Sequence, residues 1–292
     1  MHVTTTAALS ALRRRVVDYY EQCEGDYAMV WDLRRSLAMH LGHWDGRTRT
    51  LAQALTRQNE VLAERVGIHG GDRVLDAGCG VGGSAIFLAR RFGCRVVGIT
   101  LSAKQAHAAR AHAARRDVGA LARFAVMDYT AMGFPAGRFD VVWALESVCY
   151  AHDKAEFVRE AYRVLRPNGR LVVADGFASR PSYAPAADAL MRTWLGSWAV
   201  KALETVPGFA AHLDAAGFTD VSTTDVTVHV APSARRLYLH SLYGLPLGRL
   251  AERLGIRSPV QTANIMGSRT LRSVVEDGLL RYALFSAVRP AH

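Results

Sequence analysis

Between residues 73 and 176 the chain alternates short apolar runs with helical stretches. RVLDAG (73–78), CRVVGIT (94–100), RFAVMD (123–128), FDVVWAL (139–145) and the run after Asn168-Gly169 in RPNGRLVVADG (166–176) each read as a buried strand. Short apolar runs bounded by Gly, Pro and Asn suit strands covered on both faces. SAIFLARRF and the alanine-rich SAKQAHAARAHAARR read as helices. Asp153 with Glu156 three residues on is a capping-box signal for a helix after the fourth strand. This alternation predicts an α/β fold with a parallel sheet between helical layers. GFTDVSTTDVTVHV (217–230) and RYALFSAV (281–288) read as two further strands, making seven.

The flanks follow a different pattern. Residues 1–68 are mostly helical, interrupted by HLGHWDG (40–46), and residues 182–216 are helical with Tyr183, Trp194 and Trp198 at exposed or cavity positions. The expected organisation is an N-terminal helical cap (1–68), a core (69–180), and a remainder (181–292) that completes the sheet and carries an inserted helical lid. All three belong to one structural domain. There is no internal repeat.

The chain has 292 residues, half of them hydrophobic, enough for one large core. No apolar run approaches the roughly 18–20 residues of a membrane span. The N-terminus places its arginines after the apolar residues, the reverse of a secretory signal. Cys23, Cys79, Cys94 and Cys149 lie far apart without a C-x-x-C pair and read as reduced thiols, so a cytoplasmic location is expected. The net charge of +10 favours an anionic partner, and self-association into a homo-oligomer is compatible with it. Between Ala231 and Val275 there are seven arginines against one acid, Glu252. That segment reads equally well as an anion site or as a solvated helical surface.

The most specific motif is LDAGCGVGGS (75–84), a strand, a tight turn and a helix start. Gly78 and Gly80 let a ligand approach the backbone closely. A dinucleotide turn would be G-x-G-x-x-G. Here the spacing differs, and Asp76 would repel a pyrophosphate while suiting a cationic ligand. DAGCGVGG resembles motif I of the class I S-adenosylmethionine-dependent methyltransferases, and the resemblance covers about residues 60–176. It implies a Rossmann-like seven-stranded sheet, S-adenosylmethionine as cofactor, and a turn (Asp76, Gly78, Gly80) that holds its amino-acid portion. Many members end the second strand with an acid for the ribose; this chain has GITLSAKQ (98–105) instead. That departure resembles the sterol, tocopherol and cyclopropane-synthase branch. By that resemblance Thr100 and Leu101 line the ribose, Gln105 hydrogen-bonds it, and Asp128 and Tyr129 sit beside the adenine. A carboxylate also suits the adenine amino donor chemically.

YYEQCEGDYAMVWDLRRSLAMHLGHWDG (19–46) resembles the opening of that branch, which folds over the cofactor. Tyr19 is expected at the cofactor, Tyr20 and His43 among the catalytic groups, and Trp31, Arg34, His40 and Trp44 at the acceptor. Aromatic faces stabilise cations by about 0.5–2 kcal/mol each. His40 and His43 flank Gly42 without a third histidine nearby, so a protein-held metal is not expected.

In open α/β sheets ligands bind outside the carboxyl ends of the strands. Glu146 follows the fourth strand in LESVCYAHDK (145–154) and is the expected general base, with Tyr150 beside it. Nucleic-acid amino-methylating relatives often carry an Asn/Asp-Pro-Pro-aromatic stretch there; its absence argues against a nucleic-acid substrate despite the charge. Glu-Ser-x-x-Tyr resembles isoprenoid diphosphate C-methyltransferases. It implies attack of an alkene on the methyl group, a carbocation, and its deprotonation. Under that reading His152, Trp194, Arg235 and Tyr238 join the substrate site, arginines of 231–275 and Arg35 bind the diphosphate, and Mg2+ travels with it. The alternative is O- or N-methylation of a small or lipid-like molecule.

Overall fold

The computed structural model describes residues 6–31 and 33–291, apart from the side chains of Thr6 and Arg34. Three helices precede the sheet: α1 (Thr6–Val30), the single turn α2 (Leu33–Ser36) and α3 (Leu51–Val66). A capping box starts α3, with Thr50 accepting from the Gln53 amide and Gln53 reaching back, and Gly67 ends it in the left-handed region. The core then runs β1 (Arg73–Ala77), α4 (Gly83–Phe92), β2 (Arg95–Thr100), α5 (Ala103–Ala114), β3 (Ala122–Val126), β4 (Phe139–Leu145), α6 (Lys154–Val164) and β5 (Leu165–Ala178). It continues with α7 (Pro185–Ser197), α8 (Val206–Ala215), β6 (Thr219–Asp225), α9 (Thr227–Arg253), α10 (Pro259–Glu276) and β7 (Leu280–Val288).

The seven strands order as β3-β2-β1-β4-β5-β7-β6. The first five pair in parallel, while β7 runs antiparallel to both β5 and β6. All seven residues of β4 are buried, as befits the middle strand. The pleat sends neighbours to opposite faces: Val74, Val141 and Trp143 pack into one apolar layer, Leu75, Val142 and Ala144 into the other. Because β1 has β2 on one side and β4 on the other, the connections leaving β1 and β4 diverge there. That divergence opens a crevice at the carboxyl ends of the strands.

Two local expectations need correction. The apolar alternation in 217–230 predicted one long strand, but β6 stops at Asp225. Asp225 accepts from the Thr227 amide at 2.9 Å, turning the chain so that VTVHV continues as the first turn of α9. Asp153 does cap α6, accepting from the amides of Ala155 and Glu156. Glu156 does not complete the box and lies instead 3.4 Å from His152 Nε2.

Candidate active site

Glu146 follows directly after β4 and is held in the left-handed region (φ 48°). For a non-glycine residue that conformation costs about 1–2 kcal/mol, and such strain collects where a side chain must be aimed. Its Oε1 accepts from the Leu41 amide at 2.7 Å and from the Tyr282 hydroxyl at 2.8 Å. Among the described residues no donor is bonded to Oε2. Burial pushes the carboxyl up to about 8, against the pull of those two hydrogen bonds. Glu146 thus changes charge near the pH at which the protein would work, as a proton acceptor should.

Two cavities meet at this residue. A narrow cleft of about 90 Å³ runs along the glycine turn and the ends of β1, β2 and β4. A larger cavity of about 430 Å³ lies under α1, α7, α9 and α10. Five residues border both: Tyr20, Met39, His40, Glu146 and Tyr150. The Tyr20 hydroxyl donates to Tyr150 at 3.1 Å, and Tyr150 donates to the Trp198 carbonyl at 3.1 Å. Burial raises both phenols well above their ordinary value, so they remain protonated. His40 Nδ1 lies 2.9 Å from the Leu41 carbonyl and must donate to it, leaving Nε2 for the Asn59 amide at 3.4 Å. Burial lowers His40 to about 4. The phenols keep their protons and His40 Nε2 is taken by Asn59, which leaves Glu146 as the candidate base, one that gains its accepting form as pH rises toward 8.

The cleft side carries a second unusual carboxylate. Asp76 is buried, its Oδ2 has no partner, and burial pushes it up to about 7. A buried unpartnered carboxylate oxygen is costly unless something cationic or a donor completes it.

A family model described as a methyltransferase domain matches residues 75–173. The chain is 39% identical over 196 residues to 27-O-demethylrifamycin SV methyltransferase of Amycolatopsis mediterranei (strain S699), covering 67% of this chain and 71% of that one. It is a class I S-adenosylmethionine-dependent methyltransferase. Two solved structures share the fold of this methyltransferase over nearly its whole length. The [4+2]-cyclase SpnF superposes with a TM-score of 0.76 at 24% identity, covering 95% of this chain and 96% of that one. Geranyl diphosphate C-methyltransferase from Streptomyces coelicolor A3(2) superposes at 0.72 and 21% identity, covering 95% and 98%.

The residues of the methyltransferase cleft fit its cofactor. The unpartnered Asp76 oxygen offers an acceptor to an ammonium group. Thr100, Leu101 and Gln105 line the cleft together, the Thr100 hydroxyl donating to Gln105 Oε1 at 2.7 Å. Gly80 (φ 51°) is open, with only Met39 Sδ at 3.4 Å from where a Cβ would lie. Gly78 serves a different purpose from close ligand approach: a Cβ there would sit 2.3 Å from that of Ser147, so the glycine lets β1 and the β4 loop touch. Tyr129 lines the cleft, and its hydroxyl donates to the Ser147 carbonyl. Asp128 is engaged by Arg13 of the cap at 2.5 Å and does not face the cleft. Val16, Val17 and Met39 of the N-terminal region line the same cleft.

Several residues expected at the site point elsewhere. Tyr19 turns away from both cavities and donates to Asn264 Oδ1 at 2.9 Å, whereas its neighbour Tyr20 faces them. His43 stacks on His229 at 4.3 Å, away from the cavities, and burial lowers it to about 4. Trp44 donates to Ser233 Oγ at 2.9 Å, pinning the cap to α9. His152 approaches Glu156, Arg235 pairs with Glu276 on the surface, and Tyr238 lies under Arg272. The side chain of Arg34 is outside the described set. Trp31 and Trp194 do border the larger cavity. Several residues there escaped the sequence reading, two of which act on Glu146. One is Tyr282 on β7. The other is Asp175, which accepts from the Cys149 and Gly176 amides. Asp175 ends an apolar run as Glu146 does, and the same signal would have found it.

Proposed function

We propose that this methyltransferase transfers the methyl group of S-adenosylmethionine to a hydroxyl oxygen of a largely apolar acceptor in the larger cavity, with Glu146 taking the proton. The observation that carries this reading is the position of Glu146 on the wall shared by both cavities. The bound cofactor supplies an electrophilic methyl group; the protein aligns the acceptor, keeps water out and receives the proton. As the acceptor oxygen gains the methyl group it loses its proton, and Oε2 of Glu146 is the unoccupied acceptor atom at that junction. The named relative acts on an O-demethyl compound, which supports oxygen as the acceptor atom.

The aromatic wall supports a second reading, methylation of an alkene carbon with Glu146 deprotonating the resulting carbocation. Tyr20, Tyr27, Trp31, Tyr150, Trp194 and Trp198 all border the cavity. An isoprenoid diphosphate acceptor, with Mg2+ carried on it, is the less favoured form of that reading. Among the described residues Arg257 is the only arginine on this wall, and Asp26 neutralises it. Arg235 and Arg272 pair with Glu276 on the outside.

Methyl-labelled cofactor offered with two acceptor sets tests the proposal. One set holds isopentenyl, dimethylallyl, geranyl and farnesyl diphosphates; the other holds apolar phenols and polycyclic alcohols. Label should enter the second set as a methoxy group. Transfer to a diphosphate alone would overturn the reading.

A further inference from the structure

Helix α9 carries an apolar stripe that no described residue covers. Leu239, Tyr243, Leu247, Leu250 and Leu254 recur at steps of three and four residues, the spacing that aligns side chains along one helix face. Each is more than half exposed, and Tyr243 reaches 78%. The stripe spans about 22 Å at ~1.5 Å per residue. Buried partners sit on the opposite side of the same helix, including Ser233, Leu237, Ser241 and Leu245, so α9 is held from within while its apolar outer face meets water. Ile256, just past its end, and Met29 at the end of α1 are also strongly exposed.

Two features identify what covers this face. The first is charge. Arg249 and Arg253, one turn apart, are exposed beside the stripe. No ion pair engages either of them among the described residues. Arg236 lies toward the N-terminal end of the stripe. The second is continuity with the acceptor cavity: Leu247 and Met29 are exposed and also border that cavity. The stripe therefore adjoins the rim of the cavity that, on the function proposed above, takes an apolar acceptor.

We propose that this face of α9 docks on an anionic lipid surface, with the stripe in the acyl boundary and the arginines at headgroup level. An interfacial helix combines these same parts, apolar side chains on one face and basic ones beside them. A second copy of the chain fits less well. A twofold pairing of the stripes would bring Arg249 and Arg253 near the arginines of the other copy, with Glu252 the only acid in the segment. Among the described residues no helix is long and apolar enough to cross a membrane, so the contact is peripheral.

The test is co-sedimentation of the full chain with phosphatidylcholine vesicles and with vesicles containing phosphatidylglycerol, alongside gel filtration with light scattering. Binding should require phosphatidylglycerol and weaken with salt. Leu250→Ser with Leu254→Ser should lower partitioning at least tenfold. Arg249→Ala with Arg253→Ala should lower it by roughly 25-fold, each arginine being worth about fivefold. Neither double variant touches the cavities, so circular dichroism and cofactor affinity should match the wild type. Absence of vesicle binding overturns the proposal. If a dimer is seen instead and the serine variant dissociates it, the face belongs to a second copy. Equal binding to neutral and anionic vesicles overturns the role of the arginines.

Discussion

The hydroxyl of Tyr282 on β7 donates to Oε1 of Glu146, 136 residues earlier, at 2.8 Å. This bond joins the antiparallel end of the sheet to a residue on the wall shared by the two cavities. A donor to a carboxylate favours its charged form, and Tyr282 pulls Glu146 down from a still higher value. Tyr282→Phe removes that pull. The acid limb of the rate–pH profile should move upward by about one unit, a typical worth of one such bond. Activity should fall several-fold at pH 7 and recover by pH 9.5. An unmoved limb would show that Tyr282 does not tune Glu146.

Cofactor affinity should depend on pH through Asp76. Its carboxyl titrates near 7 in the free protein because it is buried. A cationic group beside Oδ2 favours the carboxylate, so binding should release a proton below about pH 7 and strengthen as pH rises toward 8. Calorimetry in buffers of different ionisation enthalpy measures that proton directly. Asp76→Asn should weaken binding at least tenfold and abolish the proton release.

The two turn glycines should fail differently. Gly78→Ala places a Cβ 2.3 Å from that of Ser147 at a φ of 96°, and should cost more than about 2 kcal/mol in urea unfolding. Gly80→Ala meets only Met39 Sδ at 3.4 Å. It should cost about 1–2 kcal/mol through its φ alone and weaken cofactor binding more than it weakens the fold.

Stability of the ligand-free protein should respond to pH through buried groups of both signs. Glu146 is raised from 4.5 to about 8, so the native state holds its proton longer than the unfolded chain. Stability from this group is greatest below pH 4.5 and is lost as pH climbs to 8. His40 and His43, lowered from 6.5 to about 4, act oppositely: stability falls as pH drops from 6.5 to 4. Glu146→Gln removes the first effect. Urea titrations should find it stabilising relative to the wild type at pH 9 and close to neutral at pH 5.

What could be read from the chain was local. The motif-I turn, Thr100 with Gln105, and Glu146 at a strand end are each set by a few consecutive residues. The α/β class followed from run lengths. The direction of a side chain on a cap or lid is set by what packs behind it. Tyr19 and Tyr20 are neighbours on α1, yet one reaches Asn264 on α10 and the other Tyr150. His40 and His43 part in the same way, one to the cavities and one to His229. Counting arginines in 231–275 likewise could not separate Arg257, turned to Asp26 at the cavity, from Arg235, turned outward to Glu276.

Glu146 is the proposed proton acceptor between the two cavities. This role is tested most directly by kcat/KM against pH for the wild type and Glu146→Gln, with cofactor affinity measured alongside. The wild type should rise about tenfold per pH unit and level near pH 8. The variant should bind the cofactor within threefold of the wild type, lose at least a hundredfold in kcat, and show no limb near 8. Near-normal turnover with the limb intact would show that Glu146 is not the proton acceptor.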